Sequence, residues 1–461
     1  MPSTPVDSVG HRGSARDRAH AVSRDRTKSI EAVDSVAAVI AQIAHAPERG
    51  VILADGSGNR CDWSTNSGGR RIQQVGGLAT PAVEWIDWDR QVARVAPGAT
   101  VSDVSAALLT QGWCLPILAG NPQRTIAAMV ATSASAPHQL RCESLGNTIQ
   151  AIELVDGTGC MHRFSVGDED SRAFWAVIGG LGLLGVMTGA ELAIRPVSSG
   201  WLLVDTVRVD SFDEILRTLN DSRGDRYCTA LLDMSSGSSS PGRGTVLSAK
   251  HARVDDLPTS RQHAALTYEP GAGPNSPRPI RTKIRQTQVG RLFAAIKHKS
   301  SPPHTDNELQ TVADFFHNRA VTPTSIPDSS AWINYDFCVP VEAVDVVSDF
   351  LDRAVAGQIV GLAATLSRVD SHKVGPLGWG QAGFAVHLAL PTEYDGLPTL
   401  LDSFDERIAD VGGCVHLGTD SRVRPDVVSH MYPKLDDWHS LRSQFDPQSH
   451  LQSDLSRRLS L

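Results

Sequence analysis

The stretch that most limits what this chain can become runs from Gly112 to Gly159, GWCLPILAGNPQRTIAAMVATSASAPHQLRCESLGNTIQAIELVDGTG. It opens on an apolar, strand-like run, Cys114 to Leu118, and turns at Ala119-Gly120-Asn121-Pro122. Thr125 leads into Ile126 to Ala136, a run with almost no bulky side chain. A loop with Ser144-Leu145-Gly146-Asn147, a strand over 149–155 and an Asp156-Gly157 turn follow. Small residues in succession let a backbone approach something flat or highly charged. Read alone, the same run also suits a tightly packed core segment.

The 461 residues, 41% of them hydrophobic and 20% charged, suffice for two globular domains. A net charge of −8 removes the electrostatic case for nucleic acid. No apolar run reaches membrane-span length, and no signal-peptide core is present. The cysteines (61, 114, 142, 160, 228, 338 and 414) are scattered, odd in number and never in CxxC pairs. That argues against a disulfide scaffold or zinc site and for a reducing cytoplasm. Residues 1–28 mix arginines with acids and few apolar residues, which predicts a disordered, solvated tail. Peripheral contact with an anionic membrane surface is the alternative for that tail.

Ser29 reads as a helix N-cap, with Ile30, Val33, Val36, Ile40 and Ile43 at helical spacing. Residues 64–78, rich in Gly, Ser and Arg, read as a surface loop, and Trp85 and Trp88 as core aromatics. Strands are expected at 84–89, 91–95, 186–194, 201–209, 227–233, 331–340 and 383–391, and helices at 101–109, 212–219, 341–356 and 399–411. Alternation places Asn334 with Asp336 on one strand face, and Ala385 with His387 on another. Residues 180–185 have GxGxxG spacing, but they follow a helix-like segment and lead into a strand, which excludes a Rossmann site.

The order of these segments carries more than any one of them. The stretch is preceded by the strand pair, Pro97-Gly98-Ala99 and the helix at 101–109. It is followed by Ala173-Phe174-Trp175-Ala176 and the glycine run Gly179 to Val186. In this the chain resembles the FAD-binding domain of the vanillyl-alcohol-oxidase superfamily, the PCMH-type flavin domain. The resemblance runs from about Ser29 to the C-terminus and is greatest to the branch that oxidises a lipid-linked pentose. It implies an α+β fold of two domains. The FAD-binding domain would take 29–197 and the returning segment 416–461, and an antiparallel-sheet substrate domain would take 198–415.

The resemblance also implies non-covalent FAD. Gly56, Ser57, Gly58 and Asn59 stand in the loop that offers backbone N–H groups to the pyrophosphate, with an ordinary surface turn as the alternative. Gly120 and Asn121 match a cofactor-contacting turn, Thr125, Ala128 and Thr132 lie along the small-residue run, and Gly185 and Val186 fall on the adenine side. Ala127-Ala128 replace a Gly-Gly pair, adding two methyl groups beside the pyrophosphate. Ser135 replaces the histidine that carries covalent FAD in part of the superfamily.

On the substrate side, His387 replaces a cysteine over the isoalloxazine and Ala385 an asparagine. Asp336 and Asn334 replace two glutamines, and Thr419 a lysine that binds flavin or substrate. His387 is the candidate general base and Asp336 its partner. A partly exposed histidine and a solvated carboxylate are the plainer alternatives. The expected reaction is oxidation of a secondary alcohol on a sugar-like or polyol substrate, lipid-linked ones included. A short-chain NAD-dependent reductase is the expected partner only if an epimerase role is kept. The other reading is a degenerate, non-catalytic homologue acting as a structural or regulatory partner, resting on Ala127-Ala128, the 55–62 loop, Ser135 and Thr419.

Overall fold

The computed structural model describes residues 30–54, 62–74, 81–118, 120–134, 139–140, 145–222, 227–234, 242–268, 302–317, 332–357, 359, 361, 363–370, 375–379, 382–392 and 394–461. The fold is α+β, with three small sheets drawn from the first 196 residues and one large antiparallel sheet after them.

Strands β1 (Ile30–Val33), β2 (Val51–Leu53) and β3 (Arg70–Gln74) form a parallel sheet with β3 at its centre. Two expectations are corrected here. Ile30 and Val33 do not open the first helix. Ser35 caps α1 (Val36–Ala44), its hydroxyl accepting from the Ala38 N–H at 3.2 Å. The helical spacing of 30–43 arises because a strand and a helix bury Val33, Val39 and Ile43 in one small cluster with Val51 and Ile72. Residues 70–74 are a central strand and not a surface loop. Its arginines bond within the protein: Arg70 donates to Gln42 Oε1 at 2.7 Å and the buried Arg71 to Ser64 O at 2.8 Å.

Strands β4 (Val83–Asp87) and β5 (Val92–Val95) lead to α2 (Val101–Leu109), closed at its start by a Thr100–Asp103 capping box. Strand β6 (Trp113–Cys114) is shorter than the apolar run suggests. Then come α3 (Ile126–Ala131), β7 (Gln139–Leu140), β8 (Ile149–Val155), β9 (Met161–Ser165), α4 (Arg172–Val177) and β10 (Val186–Ala193). The second sheet runs β4-β5-β10-β8-β9. Trp85 and Trp88 are corrected as well: they lie 40% and 51% exposed on and beside the edge strand β4, and Trp88 leans on Trp113 with ring centroids 5.6 Å apart. Strand β11 (Arg195–Pro196) pairs with β6.

The large sheet takes β12 (Trp201–Val209), β13 (Tyr227–Leu232), β14 (Gly244–His251), β15 (His304–Thr311), β16 (Trp332–Val339), β17 (Ala363–Val369), β18 (Gly383–Pro391) and β19 (Cys414–Val415). Its order is β15-β12-β14-β13-β17-β18-β16-β19, and β7 adds to β13 from the earlier part of the chain. Helices α5 (Phe212–Asp221), α6 (Asp345–Ala356) and α7 (Leu397–Asp410) send apolar residues into the same core, among them Ile215, Phe350 and Phe404.

After β19 the chain returns to its beginning through α8 (Pro425–Met431), α9 (Leu435–Phe445) and α10 (Asp454–Leu459). The Trp438 indole donates to Ala176 O at 3.2 Å, Leu451 bridges to Val51, and the Ser67 N–H donates to Asp454 Oδ1 at 2.9 Å. Arg458 lies between two acids, 3.3 Å from Asp62 Oδ2 and 2.8 Å from Asp420 Oδ2. No helix among the described residues is long and apolar enough to cross a membrane.

Candidate active site

Strand register builds the site. On the antiparallel pair β16/β18, Asp336 lies directly opposite His387, and on β17/β18 Thr365 lies directly opposite His387 from the other side. Directly opposed residues share a sheet face, so Asp336, His387 and Thr365 form one row across three strands. His387 Nδ1 is 3.5 Å from Asp336 Oδ1. The other carboxylate oxygen, Oδ2, accepts from the Thr419 hydroxyl at 2.8 Å.

Behind this row stands His416. Its backbone N–H donates to Asp336 O at 2.8 Å, its Nδ1 is 3.2 Å from Thr419 Oγ1, and its Nε2 is 2.8 Å from Thr132 O, just past the end of α3. A carbonyl oxygen only accepts, so Nε2 carries the proton. Burial holds His416 down at about 4, which keeps the ring neutral near pH 7 and agrees with that tautomer. Burial alone would raise the Asp336 carboxyl. The facing His387 and His416 rings and the Thr419 hydroxyl outweigh it and hold the group below its ordinary value, as a carboxylate.

A loop at 375–379 lays Trp379 against both rings, with centroids 5.2 Å from His387 and 4.9 Å from His416. Two close approaches fix this arrangement. A methyl group on Gly375 would stand 1.9 Å from Trp175 O, and one on Gly418 would stand 2.7 Å from Thr132 Cβ. The Ser133 hydroxyl donates to Trp379 O at 3.3 Å. Among the described residues, two side-chain polar groups here have no hydrogen-bond partner: the indole N–H of Trp379, 2% exposed, and the hydroxyl of Thr365, 1% exposed.

The remaining sequence candidates are spread more widely. Gly120 O lies 3.4 Å from His317 Nδ1, and Asn121 Oδ1 accepts from the Gln123 N–H at 3.0 Å. Thr125 caps α3, accepting from the Ala128 N–H at 3.2 Å, while the N–H groups of Ile126 and Ala127 donate to Ala99 O and Pro97 O. The first turn of α3 is therefore closed on protein acceptors, and the methyl groups of Ala127 and Ala128 are buried in the main core. Thr132 reaches the His387 cluster through its carbonyl. Gly185 packs against β8, where a methyl group would meet Leu154 Cδ1 at 2.5 Å, and Val186 belongs to the small cluster of Val33 and Val155. Ala385 is buried on the face of His387, and Asn334 is exposed. Gly56, Ser57, Gly58, Asn59 and Ser135 lie outside the described residues. Three members of the cluster were not singled out by sequence reasoning: His416, Trp379 and Thr365.

A family model for an FAD binding domain matches residues 29–165. The chain is 30% identical over 375 residues to an uncharacterized protein in mprA 5′ region of Streptomyces coelicolor, covering 78% of this chain and 100% of that one. It is 25% identical over 430 residues to the decaprenylphosphoryl-beta-D-ribose oxidase of Mycolicibacterium smegmatis, over 90% of each chain.

The chain belongs to the PCMH-type FAD-binding superfamily.

A shorter match, 30% identity over 111 residues, joins 24% of this PCMH-type protein to 21% of the Delta(24)-sterol reductase of Homo sapiens. FAD is the cofactor, and the family is one of oxidoreductases. The His387 cluster fits such a group: a planar, polar ligand would meet a neutral histidine wall, a carboxylate-backed histidine and two buried donors that the protein itself leaves unused.

Proposed function

We propose that this PCMH-type flavoprotein oxidises a secondary alcohol of a sugar-like or polyol substrate, with FAD held non-covalently. The observation that carries the proposal is the Asp336–His387 pair, opposed on adjacent strands and backed by Thr419. Bound FAD supplies the acceptor for the hydride of the carbinol carbon. The protein's part is to receive the hydroxyl proton and hold the geometry. With Nδ1–H turned to Asp336, the acceptor nitrogen of the His387 ring is Nε2, and the alcohol proton goes there. The Asp336 carboxylate then stabilises the imidazolium. Thr419 holds that carboxylate in place, and its backbone N–H donates to the carbonyl of His416, whose ring is tied to Thr132. Trp379 covers the two rings and excludes water.

The residues we assign to the cofactor are Gly56, Ser57, Gly58 and Asn59 at the pyrophosphate, with Gly120, Asn121, Thr125, Ala128, Thr132 and Ser135 along the small-residue stretch. Gly185 and Val186 take the adenine side and Thr419 the ring. We place them on an FAD-binding domain of 29–197 with 416–461, facing a substrate domain of 198–415. The likeness to an oxidase named for a lipid-linked ribose supports a glycosyl or lipid-linked polyol substrate, and the scattered, unpaired cysteines support a cytoplasmic enzyme. A short-chain NAD-dependent reductase follows as partner only if the product is reduced again.

The test is the visible absorbance of the full-length protein, before and after FAD, followed through gel filtration. Retained flavin that is bleached without oxygen by a member of a sugar and polyol panel supports the reading. A protein that retains FAD but is bleached by no alcohol sinks it.

A further inference from the structure

The two unused donors beside His387 call for an occupant. Thr365 reaches the site by register, as the cross-strand neighbour of His387 on β17, and its side chain is almost fully buried. Trp379 reaches it from the 375–379 loop, with its ring against His387 and its carbonyl held by Ser133. An indole N–H only donates, so it requires an acceptor atom, and a threonine hydroxyl donates equally well. Most buried donors are satisfied in folded proteins. Around them, Asp336, Thr419 and His416 are already joined to one another, so these two groups are left to a ligand.

We infer that Trp379 and Thr365 are donors kept for an acceptor oxygen of the ligand bound beside His387; where that oxygen belongs to the substrate, the site prefers two adjacent oxygens over a simple secondary alcohol. This deepens the reading of His387 as the proton acceptor and rests on it. Two sources carry the same chemistry: the neighbouring hydroxyl of a vicinal diol, or a ring carbonyl of the bound flavin. Either oxygen has lone pairs to offer.

The experiment uses full-length protein with ¹⁵N-labelled tryptophan, the Trp379 indole signal being assigned by its loss in Trp379→Phe. The indole N–H shift is read alone, with FAD, and with FAD plus cis-1,2-cyclohexanediol or cyclohexanol as probes. A downfield shift on FAD alone assigns the acceptor to the cofactor. A shift that needs the diol, and that cyclohexanol does not produce, assigns it to the substrate. No shift under any condition overturns the inference. Thr365→Val and Trp379→Phe add a second reading. Thr365→Val, which keeps the side chain's shape, should raise the melting temperature of cofactor-free protein, because a buried unsatisfied donor is removed, and each variant should weaken binding of the ligand so identified by roughly tenfold. Variants that leave both quantities unchanged also overturn it. The same spectra of His387→Gln separate the two claims. Undiminished bleaching there removes His387 as the proton acceptor and leaves the donor pair standing, whereas a lost indole shift in the wild type removes the pair alone.

Discussion

His387 owes its surroundings to strand register. One residue of slip between β16 and β18 would turn Asp336 to the opposite face and leave the imidazole without its carboxylate. His387→Gln should therefore lower the rate of anaerobic flavin bleaching by about 10²- to 10⁴-fold while FAD stays bound, which stopped-flow absorbance checks. His416 gives a pH prediction. Its folded value of about 4 lies below the unfolded value of 6.5, so the unfolded chain binds the extra proton between those limits. The contribution of the neutral ring is thus present above pH 6.5 and lost as pH falls towards 4. The stability gap between wild type and His416→Gln, from urea titrations, should narrow by about 3 kcal/mol from pH 7 to pH 4. At this scale the sequence was half legible. Alternation set His387 and Asp336 on strand faces, and the resemblance placed them at a flavin. Thr365 and Trp379 come from a strand and a loop whose registration is purely tertiary, and no spacing announces them.

Among the elements, the regular ones were legible where one periodicity held. Helix α2 and strands β8, β12, β16 and β18 lie close to where their patterns put them. The failures share a cause. In 30–43 a strand and a helix abut, and their apolar residues happen to mimic one helix. In 70–74 a central strand is polar because its arginines bond within the protein. The loop at 375–379 is the element on which the site most depends. A methyl group on Gly375 would overlap Trp175 O at 1.9 Å and meet Ile178 O at 2.8 Å, both backbone atoms. Gly375→Ala must lift the loop and Trp379 with it. The expected result is a loss of about 2 kcal/mol of stability and weaker flavin retention, read by denaturant titration and gel filtration. Retention and stability like wild type would show that the loop is not the fixed support described here.

For the molecule as a whole, the returning segment joins the site to the first sheet. Arg458 bridges Asp62 and Asp420, and burial pushes Asp62 up to about 7 against the pull of that guanidinium. Arg458→Ala leaves two mostly buried acids facing each other and should cost about 3 kcal/mol, with reduced FAD affinity, both measurable on purified protein. The same return has a consequence for synthesis. The His387 cluster draws on Thr132, on strands between 332 and 391, and on residues 416–419, while α9 and α10 clamp the beginning of the chain only after residue 435. A chain cut before residue 412 lacks Thr419 and His416 and so cannot assemble the His387 cluster. Chains that stop before residue 412 should stay colourless however much FAD surrounds them, which absorbance of purified truncations checks.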